Sequence, residues 1–123
     1  MASQNPQLTL VLGGARSGKS RFAEQAVMAS PAPWIYVATA EPFDAEMTAR
    51  IAEHRSRRGG QWRTVETPLD LAGAIAGAPA SAAVLVDCLT LWLNNLMFNK
   101  RDVDGETQRL EIALAARQAP TVL

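Results

Sequence analysis

The sequence predicts an α/β protein of the P-loop NTPase type (RecA-like), with a mostly parallel sheet covered by helices on both faces. Two observations carry this prediction. Short apolar segments alternate with helical segments along the chain, and a glycine-rich stretch stands between the first apolar segment and the first helix. The length of 123 residues and the 48% hydrophobic content fit one domain over residues 1–123. Residues 1–7 are expected to be a disordered or tag-like N-terminus.

Each element is predicted from its own pattern. Continuous apolar runs bounded by glycine, proline or polar residues indicate strands buried on both faces, at 8–12, 34–38 and 83–86. A short alternating run and the start of a last apolar run indicate two more strands, at 62–66 and 121–123. Apolar residues at helical spacing between these runs predict helices, at 20–29, 44–57, 69–75, 89–98 and 106–118.

Composition argues against several classes of protein. The charge balance disfavours a nucleic-acid partner, because 12 lysines and arginines match 12 aspartates and glutamates. The one cysteine, Cys88, cannot form an internal disulfide and fits a reducing compartment. The N-terminus lacks the positive region of a signal peptide, and the apolar runs are too short to span a membrane. We therefore expect a soluble cytoplasmic protein with no nucleic-acid partner and no stable membrane insertion.

Residues 13–20 match the pattern G-x-x-x-x-G-K-S of a phosphate-binding P-loop. Glycines let backbone N–H groups approach phosphate oxygens, and the following helix points its N-terminus at the anion. Lys19 would place a charge on the β- and γ-phosphates, and the Ser20 hydroxyl would ligate Mg²⁺. A glycine-rich turn without a ligand is the alternative, which the flanking strand and helix disfavour. The predicted phosphate-binding residues are Gly13, Gly14, Ala15, Arg16, Ser17, Gly18, Lys19 and Ser20.

A second acidic position follows the apolar run 83–86. In P-loop proteins, an aspartate at the end of such a strand lies beside the P-loop and helps to hold Mg²⁺. Asp87 is therefore the predicted partner of Ser20 in a magnesium site. The alternative is that Asp87 caps the helix that starts near Leu89, which is a common role for aspartate.

Residues 99–105 imitate a GTPase signature. They contain N-K-x-D at Asn99 to Asp102 and D-x-x-G at Asp102 to Gly105. In GTPases the two motifs lie far apart and each follows a strand, whereas here they overlap after a helix. Solvated loop charges are the better interpretation.

The one histidine, His54, lies near the end of a predicted polar helix beside Arg55, Arg57 and Arg58. One interpretation is a surface histidine that the helix dipole favours. The other is chemical: a neutral imidazole attacks phosphorus well near neutral pH, and the arginines would offset the charge that develops on the phosphate. From the residues alone, both interpretations stay open.

These residues together resemble a specific family, the bifunctional adenosylcobinamide kinase / adenosylcobinamide-phosphate guanylyltransferases of cobalamin biosynthesis. The resemblance runs in order from about residue 8 to residue 123. Its most specific parts are G-G-A-R-S-G-K-S-R at 13–21 and V-D-C-L-T-L-W-L at 86–93. Y-V-A-T-A at 36–40, residues 44–58 and W-R-T-V-E at 62–66 also match.

The resemblance implies two reactions. ATP or GTP phosphorylates the aminopropanol hydroxyl of adenosylcobinamide. GTP then guanylylates an enzyme histidine, and the phosphorylated cobinamide takes up the GMP to give adenosyl-GDP-cobinamide. The implied cofactor is Mg²⁺, with GTP or ATP as substrate, and a homotrimer is the implied assembly.

The resemblance also assigns residues. His54 corresponds to the guanylylated histidine, and residues 13–20 correspond to the P-loop. The other implied nucleotide contacts are Ala38, Thr39, Ala40, Arg55, Ser56, Arg57, Arg58, Glu66 and Asp87. Family members continue well beyond the point that corresponds to Leu123, so we expect a C-terminally truncated chain. A simple small-molecule P-loop kinase and a non-catalytic nucleotide-binding module are the remaining alternatives.

Overall fold

The structure is a computed structural model that describes residues 8–12, 18–40, 45–57, 59–117 and 119–123. Strands and helices alternate along these residues until two helices follow one another. The strands are β1 (Leu8–Thr9), β2 (Trp34–Ala38), β3 (Trp62–Glu66), β4 (Val84–Asp87) and β5 (Thr121–Val122). The helices are α1 (Lys19–Met28), α2 (Ala45–Arg57), α3 (Leu71–Gly77), α4 (Leu89–Phe98) and α5 (Val103–Ala115). The predicted α/β class is confirmed.

Every strand pair in the sheet is parallel, and the order across it is β1-β5-β4-β2-β3. The last strand in sequence therefore lies between the first strand and the strand that carries Asp87. This insertion of one strand between β1 and β4 agrees with the predicted RecA-like arrangement.

Helices cover both faces of the sheet, because side chains of successive strand residues point to opposite sides. On one face, α3, α4 and α5 pack on Ile35, Val37, Val84 and Val86. On the other face, α1 packs through Ala23 and Val27 against a second set of strand residues, Tyr36, Leu85 and Val122. Asp87 lies two residues beyond Leu85, so its side chain belongs to the α1 face.

Several boundaries differ from the prediction by one to three residues, and three of them can be traced to local contacts. The first strand ends at Thr9, although Val11 N–H donates to the Leu123 carbonyl at 2.9 Å and continues the pairing irregularly. Helix α3 begins two residues late because the Asp70 carboxylate accepts from Gly73 N–H at 3.0 Å and sets the cap. Helix α5 begins three residues early because Asp102 accepts from Gly105 N–H at 3.2 Å.

A buried arginine lies at the amino ends of the central strands, away from Asp87. Arg117 is 8% exposed, and its Nε donates to the Thr121 hydroxyl at 3.0 Å. Its guanidinium also donates to the carbonyls of Pro79 and Ala82. Burial lowers the pKa of Arg117 below its ordinary value. These contacts tie the residues before β4 and β5 together.

Among the described helices, none is both long enough and apolar enough to cross a membrane.

Candidate functional site

Three strands end side by side at what we call the carboxyl edge, the row formed by Glu66, Ala38 and Asp87. Ala38 of β2 pairs with Glu66 of β3 on one side and with Asp87 of β4 on the other. Neighbouring strands lie about 4.8 Å apart, so two carboxylates flank one small side chain. In open α/β sheets, ligands bind outside the carboxyl ends of the strands. The edge therefore has the position and the shape of a ligand site.

The described part of the predicted P-loop begins at Gly18, because residues 13–17 lie outside the described residues. Gly18 is the N-cap of α1 and has a φ of 79°. A side chain is rarely tolerated at this φ, although nothing lies within 4 Å of the place that a Cβ would take. The backbone conformation, and not lack of space, is the reason for glycine. Lys19 is the first residue of α1, and the side chain of Ser20 lies outside the described part of the structure.

A cavity of about 330 Å³ lies between α1, the segment after β1 and the end of β4. It brings two of the predicted residues, Lys19 and Asp87, onto one surface. Its other polar lining residues are Glu24, Tyr36 and Thr90, and leucines form much of the rest of its wall. A cation at the start of a helix, facing a carboxylate at a strand end, is the arrangement that a magnesium-bound triphosphate requires.

Asp87 has a specific partner in this cavity. The Tyr36 hydroxyl donates to Oδ2 of Asp87 at 2.5 Å. Helix α4 has Cys88 at its N-cap and no capping hydrogen bond from a side chain. The alternative that Asp87 caps this helix is therefore wrong, and its carboxylate faces the cavity instead.

Thr39 joins the ends of β2 and β4. Its side chain is fully buried, and its hydroxyl donates to the Cys88 carbonyl at 2.8 Å and accepts from Cys88 N–H at 2.9 Å. Thr39 N–H donates to the Asp87 carbonyl at 3.1 Å. The peptide bond between Asp87 and Cys88 is cis. Contact between Thr39 and a nucleotide stays a prediction, and in the structure its hydroxyl positions the Asp87–Cys88 connection.

Asn95 is a positioning residue that the sequence reasoning missed. It is buried in α4, and its amide donates to the carbonyl of Thr39 at 2.8 Å and to that of Pro68 at 3.0 Å. The indole of Trp92 donates to the Leu69 carbonyl at 2.9 Å. Helix α4 thereby anchors the loops that follow β2 and β3. The available signal was the pair of asparagines within a mostly apolar helix, L-T-L-W-L-N-N-L-M-F.

The predicted nucleophile lies on α2, in the connection between β2 and β3. His54 falls in the last turn of this helix, as predicted. The side chains of His54, Arg55 and Arg57 lie outside the described part of the structure, and so does Arg58. Ser56 is exposed, and its hydroxyl donates to the Glu53 carbonyl at 2.9 Å.

A model of the family described as cobinamide kinase / cobinamide phosphate guanyltransferase matches residues 9–123. The chain belongs to this family. The resemblance proposed from the motifs is thus confirmed, and the matched range contains every predicted site residue.

Named relatives agree with this assignment. The chain is 52% identical over 104 residues to the bifunctional adenosylcobalamin biosynthesis protein CobP of Pseudomonas aeruginosa, covering 82% of this chain and 60% of that protein. It is 44% identical over 114 residues to the protein CobU of Escherichia coli, which carries the same description, covering 89% of this chain and 62% of that protein. The chain thus spans about three fifths of the length of these two curated relatives.

The donor set at the carboxyl edge fits a magnesium ion. Mg²⁺ prefers oxygen ligands and is usually held by one or two carboxylates together with substrate phosphates, not by a cage of protein ligands. Asp87 offers a carboxylate to the cavity that Lys19 also lines. Among the described residues, no group of three or more His, Cys, Asp or Glu is placed to hold a metal ion.

The predicted site residues thus fall into two groups. In the first group, Ala38, Glu66 and Asp87 form the carboxyl edge, and Lys19 lines the cavity beside Asp87. Gly18 lies at the start of α1, and Thr39 directly follows Ala38. Ala40 follows this row, half-buried. In the second group, Ser56 is exposed on α2. The others lie outside the described part of the structure: residues 13–17, Arg58, and the side chains of Ser20, His54, Arg55 and Arg57.

Proposed function

We propose that the chain is a nucleotide-binding domain that first phosphorylates the aminopropanol hydroxyl of adenosylcobinamide with ATP or GTP. In the second step it transfers GMP from GTP through His54 to give adenosyl-GDP-cobinamide. The observation that carries the proposal is the cavity shared by Lys19 and Asp87. Membership of the family supports the choice of substrates.

In the first reaction, the acceptor hydroxyl oxygen attacks the γ-phosphorus. The bond from that phosphorus to the bridging oxygen breaks, the nucleoside diphosphate leaves, and the hydroxyl proton passes to solvent. Lys19 and the backbone N–H groups at the start of α1 bind the phosphate oxygens. Ser20 and Asp87 would hold Mg²⁺, which when bound neutralises charge on the β- and γ-phosphates.

In the second reaction, an imidazole nitrogen of His54 attacks the α-phosphorus of GTP, and pyrophosphate leaves. A phosphate oxygen of the cobinamide phosphate then attacks the same phosphorus, and the bond to the imidazole breaks. Covalent catalysis divides one displacement into two. Arg55, Arg57 and Arg58, with Ser56 between them, would contact the phosphates and offset their charge.

Labelled GTP tests this proposal. The protein incubated with α-labelled GTP should acquire a covalent label that is labile in acid and stable in base, as expected of a phosphoramidate. The label should be absent from His54→Ala, and γ-labelled GTP should leave none. His54 is the one histidine in the sequence, so the variant removes every imidazole. A label that persists in His54→Ala contradicts the guanylyl-histidine step.

A nucleotide-binding module without transfer is the second candidate, because the cavity shared by Lys19 and Asp87 would also serve binding alone. It predicts GTP binding with no phosphate transfer to cobinamide. A simple P-loop kinase predicts transfer of the γ-phosphate to cobinamide with no covalent α-label. The same labelled nucleotides therefore separate the three functions.

The assembly and its compartment are also proposals. We infer a homotrimer in the cytoplasm from the family resemblance. Apolar side chains exposed at the end of α4 support self-association, since Met97 is 59% and Phe98 is 81% exposed. Sedimentation equilibrium should show a trimeric species, and a monomer at all concentrations would contradict it.

A further inference from the structure

We propose that Tyr36 is a positioning residue that orients the Asp87 carboxylate toward the magnesium ion of a bound nucleotide. The inference deepens the proposed function and rests on it. It concerns a residue that neither the motifs nor the resemblance assigned to the site.

The register of β2 and β4 places the two side chains within reach. Tyr36 pairs with Leu85, and Asp87 follows Leu85 by two residues on the same face of the sheet. Such diagonal neighbours on adjacent strands lie within reach of a long aromatic side chain. The Tyr36 hydroxyl spans this diagonal and donates to Oδ2 of Asp87 at 2.5 Å.

The phenol ring is held firmly. Tyr36 is 6% exposed and belongs to the apolar cluster that α1 forms with the sheet. Its ring meets that of Trp62 edge-on, with centroids 6.3 Å apart and planes at 78°. A buried ring that is packed against neighbouring side chains has few rotamers available. The hydroxyl therefore defines one orientation of the Asp87 carboxylate.

The hydroxyl of Tyr36 is an uncharged hydrogen-bond donor, which suits a metal site better than a cationic side chain would. A lysine or arginine at this position would compete with a cation for the negative charge of Asp87, whereas a phenol hydroxyl fixes the carboxylate and leaves its charge. The hydrogen bond engages Oδ2, so a one-oxygen contact from Oδ1 to Mg²⁺ is compatible with it. Residues that orient metal ligands in this way commonly change metal affinity about 10- to 100-fold when they are replaced.

Tyr36→Phe removes the hydroxyl and keeps the ring. The matched control is Thr121→Val, which removes another buried hydroxyl at the opposite ends of the strands. Asp87→Asn is the positive control. For each protein, the affinity for a fluorescent non-hydrolysable GTP analogue is measured first in metal-free buffer and then at increasing Mg²⁺ concentrations. Mn²⁺ binding in the presence of the analogue is followed by electron paramagnetic resonance, and urea unfolding reports on the fold.

We expect Tyr36→Phe to keep its metal-free nucleotide affinity within about two-fold and to need about ten-fold more Mg²⁺ for half-maximal enhancement. Its Mn²⁺ affinity should fall in parallel. Thr121→Val should lose stability but keep both its Mg²⁺ requirement and its Mn²⁺ affinity. An unchanged Mg²⁺ requirement in Tyr36→Phe overturns the inference, and so does an unchanged requirement in Asp87→Asn. If the unaltered chain binds no nucleotide at any Mg²⁺ concentration, the proposed function fails and this inference fails with it.

Discussion

Asn95 shows how one buried amide organises loops that are distant in sequence. Its two hydrogen bonds reach carbonyls 56 and 27 positions away. Asn95→Asp should lower the free energy of unfolding by about 1–3 kcal/mol, because both donors are lost and a charge meets two carbonyl oxygens. The neighbouring Asn94 is exposed, so Asn94→Asp is the control and should change stability by less than about 0.5 kcal/mol. Urea denaturation measures both, and equal losses would contradict the assigned role.

At the same scale, the sequence predicted residue types better than residue partners. Lys19 and Asp87 were predicted from the P-loop pattern and from a strand that ends in a carboxylate, and the structure places both on one cavity. Asn95 was missed because its partners are backbone carbonyls, which no side-chain pattern records. Tyr36 was missed because a tyrosine in an apolar strand is as typical of a core as of a site.

Helix α3 depends on its first cap. The Asp70 carboxylate accepts from Gly73 N–H at 3.0 Å and pairs with Arg109 of α5 at 3.2 Å. Asp70→Ala should lower the free energy of unfolding by about 1 kcal/mol through loss of the cap. Asp70→Asn should lose less, because asparagine also caps helices. Thermal unfolding measures both variants, and a loss in Asp70→Asn equal to that in Asp70→Ala would show that the ion pair with Arg109, and not the cap, accounts for the effect.

The same capping chemistry explains the false GTPase signature. Asp102 and Gly105 are the two ends of a capping hydrogen bond at the start of α5, and Asn99 is the C-cap of α4. The interpretation as solvated loop charges is confirmed for residues 99–102, which lie exposed between α4 and α5, whereas residues 103–105 form the first turn of α5. Strand and helix types followed from periodicity, whereas their boundaries depended on caps that apolar spacing does not reveal.

At the scale of the whole molecule, the candidate site is assembled from segments that lie far apart in the chain. Lys19 comes from the first helix, Glu66 from an edge strand, and Asp87 from a central strand. The alternation of strands and helices predicted this convergence, because parallel strands bring their carboxyl ends to one edge. A ligand that touches all of these segments should therefore stabilise the entire sheet and not one loop.

Lys19→Gln tests this coupling. Lys100→Gln is the matched control, because Lys19 and Lys100 are the two lysines of the sequence and Lys100 is exposed in the turn after α4. A magnesium nucleotide at about 100 times its Kd should raise the free energy of unfolding of the unaltered chain by about 2.7 kcal/mol. The midpoint of urea unfolding should move while the slope stays constant, because the folded state gains a ligand without changing its buried area. Lys100→Gln should keep this gain and Lys19→Gln should lose most of it, since Lys19 is the proposed phosphate contact in the cavity. Equal gains in both variants would mean that the nucleotide binds away from the cavity that Lys19 and Asp87 share.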